Sequence, residues 1–235
     1  MKRIVFKFLT LTVVISTLLA MSACGKLDVV ADESTKSFDR LLDVANSLVS
    51  KDDMNGGWTL AAPDGEANFI WSWDYSASPQ HDVMLAFNAE PFVAAGLDPA
   101  KLPQDITFMD VMDTGMGNSQ SIMVGTKLGK EKFDGRATPA VAYKQIIKEH
   151  RSSVGYHSAL DHYGVNLGDG NLFEWAKDID TNDKDIVFVL EPAPFIAAGV
   201  NPNKVKGWVF AKVIVDDANG KPVEVDKLLK PFNLK

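Results

Sequence analysis

The fold is decided by a segment that occurs twice. Residues 82–101 read DVMLAFNAEPFVAAGLDPAK, and residues 185–204 read DIVFVLEPAPFIAAGVNPNK. The second copy lies 103 residues after the first, and most differences between them exchange one apolar residue for another. Similarity at a fixed offset marks an internal repeat. The offset holds downstream without a gap, while upstream it needs slips of one or two residues in predicted loops, which indicates a tandem duplication of residues 34–130 as residues 131–235.

Each copy is predicted to begin with one long helix. In the first copy an apolar stripe with helical spacing consists of Phe38, Leu41, Leu42, Ala45, Leu48 and Val49. The second copy repeats this stripe from Tyr143 to Val154, and Thr138-Pro139 is typical of a helix start. About five short apolar runs, separated by turn residues, follow each helix and predict strands.

The predicted fold class is therefore α+β, a tandem duplication in which each copy has one long helix packed on an antiparallel sheet of about five strands. The sequence leaves open whether the copies share one core. We expect residues 131–235 alone to fold cooperatively, and a molten product would indicate a shared core.

The shared motif Pro-Phe-(Val/Ile)-Ala-Ala-Gly has a structural explanation. Pro91 and Pro194 suit the first turn of a short helix, because proline lacks the N–H that this turn leaves unpaired. Gly96 and Gly199 suit the left-handed conformation that ends a helix. We therefore interpret the motif as a helix with its caps and not as a binding motif.

The N-terminus predicts export. Residues 1–23 carry three basic residues, a hydrophobic stretch and a small-residue end, which is the pattern of a signal peptide. Met21-Ser22-Ala23-Cys24 resembles the lipobox of bacterial lipoproteins, with Met21 in place of the usual Leu, Val or Ile. The resemblance covers the leader alone and implies that Cys24 becomes the lipidated N-terminus. We expect residues 24–33 to form a flexible tether.

Lipidation implies a place in the cell envelope, facing away from the cytoplasm. Two or more acyl chains hold a protein firmly on a bilayer, so the membrane is a predicted partner through the N-terminal lipid. Gly25 stands where some Gram-negative lipoproteins carry an inner-membrane retention aspartate. The outer membrane and the single membrane of a Gram-positive cell therefore both remain open.

Composition narrows the classes of partner and of stabilisation. Hydrophobic residues make up 46% of the chain, enough for a globular core, and Cys24 is the sole cysteine, so no intramolecular disulfide forms. The formal net charge is −7, and loss of the three basic leader residues lowers it to −10. Phosphate repels such a surface, so no nucleic-acid partner is predicted.

Candidate binding residues are those that differ between the copies. Phe69, Trp71, Trp73 and Tyr75 alternate along one predicted strand, and the second copy keeps aromatic residues only at the positions of the first two. Phe69 and Trp71 are therefore predicted to be core. Trp73 and Tyr75 are candidate ligand contacts.

Histidines give the second pair of candidates, His157 and His162, which we expect to be exposed. His150 falls on the apolar stripe and is expected to be buried. The spacings between these three residues, seven and five, match no zinc pattern, so no metal site is predicted.

No nucleophile motif or identifiable Ser-His-Asp set is present, so no catalytic residue and no cofactor are predicted. The leading hypothesis is a non-enzymatic binding or interaction module for a small molecule or a protein. One alternative is an extracytoplasmic hydrolase or redox protein with its site between the copies, and another is a purely structural envelope component. A binding module predicts a cleft, an enzyme predicts convergent titratable groups, and a structural component predicts an extended apolar patch.

Overall fold

The computed structural model describes nine parts of the chain. They are residues 13–15, 24–52, 56–72, 82–113, 117–126, 137–157, 160–179, 184–216 and 221–234. Trp73 and Tyr75 lie outside these residues, so their role in ligand binding stays a prediction.

The first copy forms one antiparallel sheet, the first sheet. Its strands are β2 (Val49–Asp52), β3 (Gly57–Ala61), β4 (Ala67–Ser72), β5 (Val83–Asn88), β6 (Thr107–Asp113) and β7 (Gly117–Thr126). They lie side by side in the order β2-β3-β4-β5-β7-β6.

The second copy forms the second sheet. Its strands are β8 (Val154–His157), β9 (His162–Asn166), β10 (Leu172–Ala176), β11 (Ile186–Leu190), β12 (Val209–Asp216) and β13 (Pro222–Phe232). These antiparallel strands follow the order β8-β9-β10-β11-β13-β12, the same as in the first sheet, which is consistent with a tandem duplication and an α+β fold. Strand β1 (Val13–Ile15), from the predicted signal peptide, joins the free edge of β12 in parallel.

Each copy has six strands among its described residues, one more than the five or so predicted from the sequence. Val49 and Val154, assigned to the helical stripe, are instead the first residues of β2 and β8. A short 3₁₀ turn at residues 46–48, and another at 151–153, separates each helix from the strand that follows. The valine after each turn is β-branched and suits an extended backbone. His150 follows the last helical residue and is half-buried, so its predicted burial on the stripe is wrong.

Four helices are described. They are α1 (Cys24–Val44), α2 (Glu90–Ala94), α3 (Pro139–Glu149) and α4 (Ala193–Ala197). Thr138 caps α3 as predicted, because its side-chain oxygen accepts a hydrogen bond from the backbone N–H of Val141 at 3.4 Å. Among the described residues, no helix is both long enough and apolar enough to cross a membrane.

Residues 24–33, predicted as a flexible tether, are instead the first part of α1. Ala31 and Ser34 are buried and continue the spacing of Phe38, Leu41 and Ala45 back along the helix. The sequence missed this part of the stripe because its buried residues are small. Cys24 is the first helical residue, and its lipidation stays a prediction.

Helices α1 and α3 each also pack on the sheet of the other copy, which the sequence did not predict. Helix α1 contacts β8 and β10, and α3 contacts β4. The indole Nε1–H of Trp71 donates to the carbonyl oxygen of Pro139 at 3.1 Å, and that of Trp175 donates to Ser37 Oγ at 3.2 Å. The two helix-to-sheet contacts are thus reciprocal.

Aromatic residues of the first copy pack on their own counterparts in the second. The ring centroids of these pairs lie 3.8 Å apart for Phe38 and Tyr143, 4.2 Å for Phe69 and Phe173, and 5.1 Å for Phe92 and Phe195. Contact between equivalent positions places these pairs on a pseudo-two-fold axis relating the copies. Phe69 and Trp71 are fully buried, which confirms that they belong to the core.

Helices α2 and α4 extend this symmetry in the backbone. The N–H of Asp98 donates to the carbonyl oxygen of Ala198 at 2.9 Å, and the N–H of Asn201, its counterpart, donates to that of Ala95 at 2.9 Å. The repeated motif therefore joins the two copies.

Gly96 and Gly199 make this close approach possible. Their φ angles are +108° and +101°, which confirms the predicted helix ends. A Cβ on Gly96 would lie 2.7 Å from the carbonyl oxygen of Gly199, and the reverse distance is 2.8 Å. Glycine is thus required both for the conformation and for the contact between the copies.

The largest hydrophobic core contains buried residues from both copies, so the copies share this core. Each half alone would expose the aromatic faces that pack on its counterpart. We therefore now expect residues 131–235 alone not to form a stable monomer, in contrast to the expectation from the sequence.

Candidate functional site

The two copies meet at two related seams, and one of them contains an open cleft of about 300 Å³, here called the Trp208 cleft. The first copy supplies a wall that carries acidic and amide groups, formed by Asp64, Glu66, Asn88 and Glu90, with Pro91 and Ala94 beside it. The second copy supplies a basic wall, formed by Lys206, Gly207, Trp208 and Lys230. The cleft thus combines charged groups of both signs with an apolar surface.

Trp208 lines the cleft and also belongs to the hydrophobic core. Its ring is buried and packs edge-on against Phe87 and Phe92 of the first copy, at centroid distances of 5.4 and 5.7 Å. Gly207, with φ +81°, turns the backbone just before Trp208 and the following strand β12. A side chain of the second copy therefore completes the core of the first.

Lys230 holds the two walls together. Its side chain is only 5% exposed, and its Nζ donates to Asp64 Oδ2 at 2.6 Å and to the carbonyl oxygen of Gly207 at 3.4 Å. The ammonium also lies 5.9 Å from the ring centroid of Trp208 and 5.1 Å from that of Phe232. A buried ammonium needs such a partner, because an unpaired buried charge is strongly destabilising.

The acidic wall is ordered by Asn88. Its Nδ2 donates to Glu66 Oε2 at 2.6 Å, and its Oδ1 accepts a hydrogen bond from the backbone N–H of Glu90 at 2.9 Å. Both carboxylates are exposed, and so is Lys206 on the opposite wall. The rim therefore presents two carboxylates on one side and an ammonium on the other.

The second seam, here called the Asp105 seam, is related to the Trp208 cleft by the pseudo-two-fold axis. Its cavity is only about 20 Å³, and Asp105 stands at the position equivalent to Trp208. Glu191, the counterpart of Asn88, accepts a hydrogen bond from Lys227 Nζ at 2.7 Å, and the same ammonium donates to the carbonyl oxygen of Gly170 at 2.9 Å. Two related seams thus differ about fifteenfold in cavity volume.

His157 and His162 lie away from the cleft, on the outer face of the second sheet. They are 7% and 3% exposed, so the expected exposure of both is wrong. They face each other across β8 and β9, and His157 Nδ1 lies 2.9 Å from Oε1 of Glu174, itself 2% exposed. His162 Nδ1 has no hydrogen-bond partner among the described residues.

The sheet register explains why these groups meet. Glu174 of β10 lies opposite Gly164 of β9, where a Cβ would come within 3.3 Å of Glu174 Cγ. The glycine therefore gives the carboxylate room to lie flat beside His157. In the first copy the position of Glu174 is held by Ile70, so this polar cluster belongs to the second copy.

Burial sets the protonation of His162. Removal of the imidazole from water lowers its pKa below the ordinary value, because burial penalises the charged form. The charge of Glu174 opposes this lowering, as do Asp161 and Asp185, while His157 adds to it. His162 is therefore held neutral near pH 7.

Metal ligation finds no support in this part of the molecule. Among the described residues, no three or more His, Cys, Asp or Glu side chains converge in a way that would hold a metal ion.

Comparison of the chain with models of protein families, with curated proteins and with solved structures found no match. Function is therefore inferred from the geometry and chemistry of the site.

None of the residues that line the Trp208 cleft was predicted from the sequence as a binding residue. The signal was present, because Trp208 stands at the position of Asp105 in the first copy and so differs between the copies as Trp73 and Tyr75 do. Trp208 was not predicted because it lies in a loop before a strand. The predicted candidates came from the aromatic row and the histidine segment.

Proposed function

We propose that the protein is a membrane-anchored extracytoplasmic lipoprotein that acts as a non-enzymatic binding module. In this proposal Cys24 carries the lipid, the body consists of two copies of a unit of one long helix and one sheet, and the ligand occupies the Trp208 cleft. The observation that carries the proposal is the asymmetry of the seams, since a cavity of about 300 Å³ occurs at one and about 20 Å³ at the other. A volume of about 300 Å³ is at the lower end of ligand pockets.

The chemistry of the cleft favours binding over catalysis. None of the described residues that line it is a serine, threonine, cysteine or histidine, the residue types that supply most nucleophiles and general bases. Among the described residues that line the cleft, Asp64 and Lys230 form an ion pair that joins the copies. The alternative of an enzyme with its site between the copies rests on this pair and on the exposed carboxylates of Glu66 and Glu90, which could act as general acids or bases.

Filling the cleft tests the binding proposal. Ala94 is exposed on the cleft wall, and Ala197 is its exposed counterpart outside it, so Ala94→Trp and Ala197→Trp form a matched pair. Native mass spectrometry of protein purified from the cells that produce it should show a bound small molecule in the wild type and in Ala197→Trp. Ala94→Trp should show the mass of the lipidated protein without that small molecule.

Two results would count against the proposal. If the wild-type protein carries no ligand and shows no thermal shift with any compound class, binding in the cleft is wrong. If Ala94→Trp retains the ligand as well as Ala197→Trp does, the ligand lies elsewhere.

The anchor is tested separately. We expect Cys24→Ala to move the protein from the membrane fraction to the soluble fraction and to remove the added mass of the acyl chains, because these chains supply the affinity for the bilayer. A Cys24→Ala protein that stays in the membrane at unchanged mass would contradict lipidation.

A further inference from the structure

We propose that the Trp208 cleft binds a small zwitterion, a free amino acid or a short peptide, with its ammonium at the acidic wall and its carboxylate at Lys206. This inference rests on the proposed function, because it names the class of ligand for the same cleft.

Three charged side chains among the described lining residues of the cleft remain for a ligand. Asp64 and Lys230 neutralise each other at 2.6 Å, with the lysine side chain 5% exposed. The exposed charges that remain are Glu66 and Glu90 on the wall of the first copy and Lys206 on the wall of the second. A ligand that spans the cleft therefore meets a negative surface at one end and a positive group at the other.

Anions, cations and zwitterions differ in how well they match the charges of the cleft. An anion would meet two carboxylates for one ammonium, in a protein whose formal net charge is already −7. A simple cation would satisfy the acidic wall and leave Lys206 facing a positive molecule. A zwitterion pairs with both walls, and hydrogen bonds to charged groups are the strong ones.

The cleft also has an apolar surface. Pro91, Ala94 and Trp208 line the cleft together with the carboxylates. An apolar side chain or a peptide backbone would cover this surface, and the volume of about 300 Å³ limits the ligand to a small one. At the Asp105 seam Pro194 keeps the position of Pro91, but Asp105 replaces the indole.

The experiment begins with a thermal-shift screen of the twenty free amino acids and a set of dipeptides. The best binder is then compared by calorimetry with two analogues of the same side chain, the amine that lacks the carboxylate and the acid that lacks the amine. For phenylalanine these would be phenethylamine and 3-phenylpropanoate. We expect each analogue to bind about tenfold more weakly or worse, as hydrogen bonds to charged groups imply.

Substitutions on the two walls test which wall binds the ammonium of the ligand and which binds its carboxylate. Lys206→Gln should weaken the amino acid about tenfold and leave the amine unchanged, whereas Glu66→Gln and Glu90→Gln should weaken both the amino acid and the amine. Lys148→Gln and Asp43→Asn, exposed changes on α3 and α1, are the matched controls and should alter neither.

The outcomes separate this inference from the proposed function. If the amine binds as tightly as the amino acid, or Lys206→Gln has no effect, the ligand is not a zwitterion. If no zwitterion binds but a co-purified molecule is lost in Ala94→Trp, the class is wrong and the binding function stands. If no compound binds and nothing co-purifies, both are wrong.

Discussion

The Trp208 cleft and the Asp105 seam occupy equivalent positions and have different contents. At the first, an indole packs into the core of the other copy and a buried lysine crosses to Asp64. At the second, Asp105 is exposed and the nearby Lys227 is paired within its own copy to Glu191. Residues on the pseudo-two-fold axis stay similar because each contacts its counterpart, whereas residues at the seams contact different partners and are free to differ.

The largest expected effect comes from removing one copy. Residues 131–235 alone lose the partners of Phe173 and Phe195 and the hydroxyl that Trp175 binds in α1. We expect a molten or self-associated product, by near-UV circular dichroism and analytical ultracentrifugation. The control is the chain from Cys24 onward, which should unfold in one cooperative transition. A monomeric fragment that unfolds cooperatively would contradict the shared core.

The second-largest effect is a difference in the free energy of unfolding between equivalent substitutions at the two seams. Trp208→Ala should lower the free energy of unfolding by about 3–5 kcal/mol, because it removes a buried aromatic ring. Asp105→Ala, at the equivalent exposed position, should change it by less than about 0.5 kcal/mol. Both values come from urea denaturation of the otherwise identical chain. Similar losses for the two variants would mean that the seams are not energetically distinct.

A smaller effect is expected on the axis itself. Gly96→Ala and Gly199→Ala should each cost more than about 1–2 kcal/mol, since both combine a positive φ with a close carbonyl oxygen. Gly65→Ala is the control, because Gly65 also has a positive φ but its Cβ would meet nothing within 4 Å. If Gly65→Ala costs as much as the other two, the contact between copies contributes nothing.

The smallest effect concerns pH and the second copy alone. Burial lowers the pKa of His162 from 6.5, so below that pH the unfolded chain takes up a proton that the folded chain resists. The contribution of His162 to the free energy of unfolding should be fully present above pH 6.5 and should be lost as the pH falls below that value. His162→Gln should reduce this dependence, measured by urea denaturation between pH 5 and 8. An unchanged pH profile in the variant would show that His162 is not the group responsible.

The sequence was sufficient for the parts of the fold that are local or repeated. The fixed offset predicted two related units, and the two sheets have the same strand order. Proline and glycine placed the ends of α2 and α4, because backbone conformation restricts these residues directly. Burial of Phe69 and Trp71 followed from their retention in both copies.

The sequence did not predict contacts for which two equivalent partners were available, one in each copy. Similarity between the copies says that α1 corresponds to α3, but not that each also packs on the sheet of the other copy. The burial of His157 and His162 was missed for a related reason, since it depends on Glu174 in a neighbouring strand and on room left by Gly164. Pairings across strands and between copies are not encoded in local spacing.

The reciprocal hydrogen bonds around Gly96 and Gly199 have a consequence for how such a molecule can change. In a dimer of identical chains built around this contact, every substitution would appear at both seams, so a tryptophan gained at one would be gained at the other. Joining the two units in one polypeptide removes that constraint. A single substitution can then reshape one seam while the other keeps the structure closed.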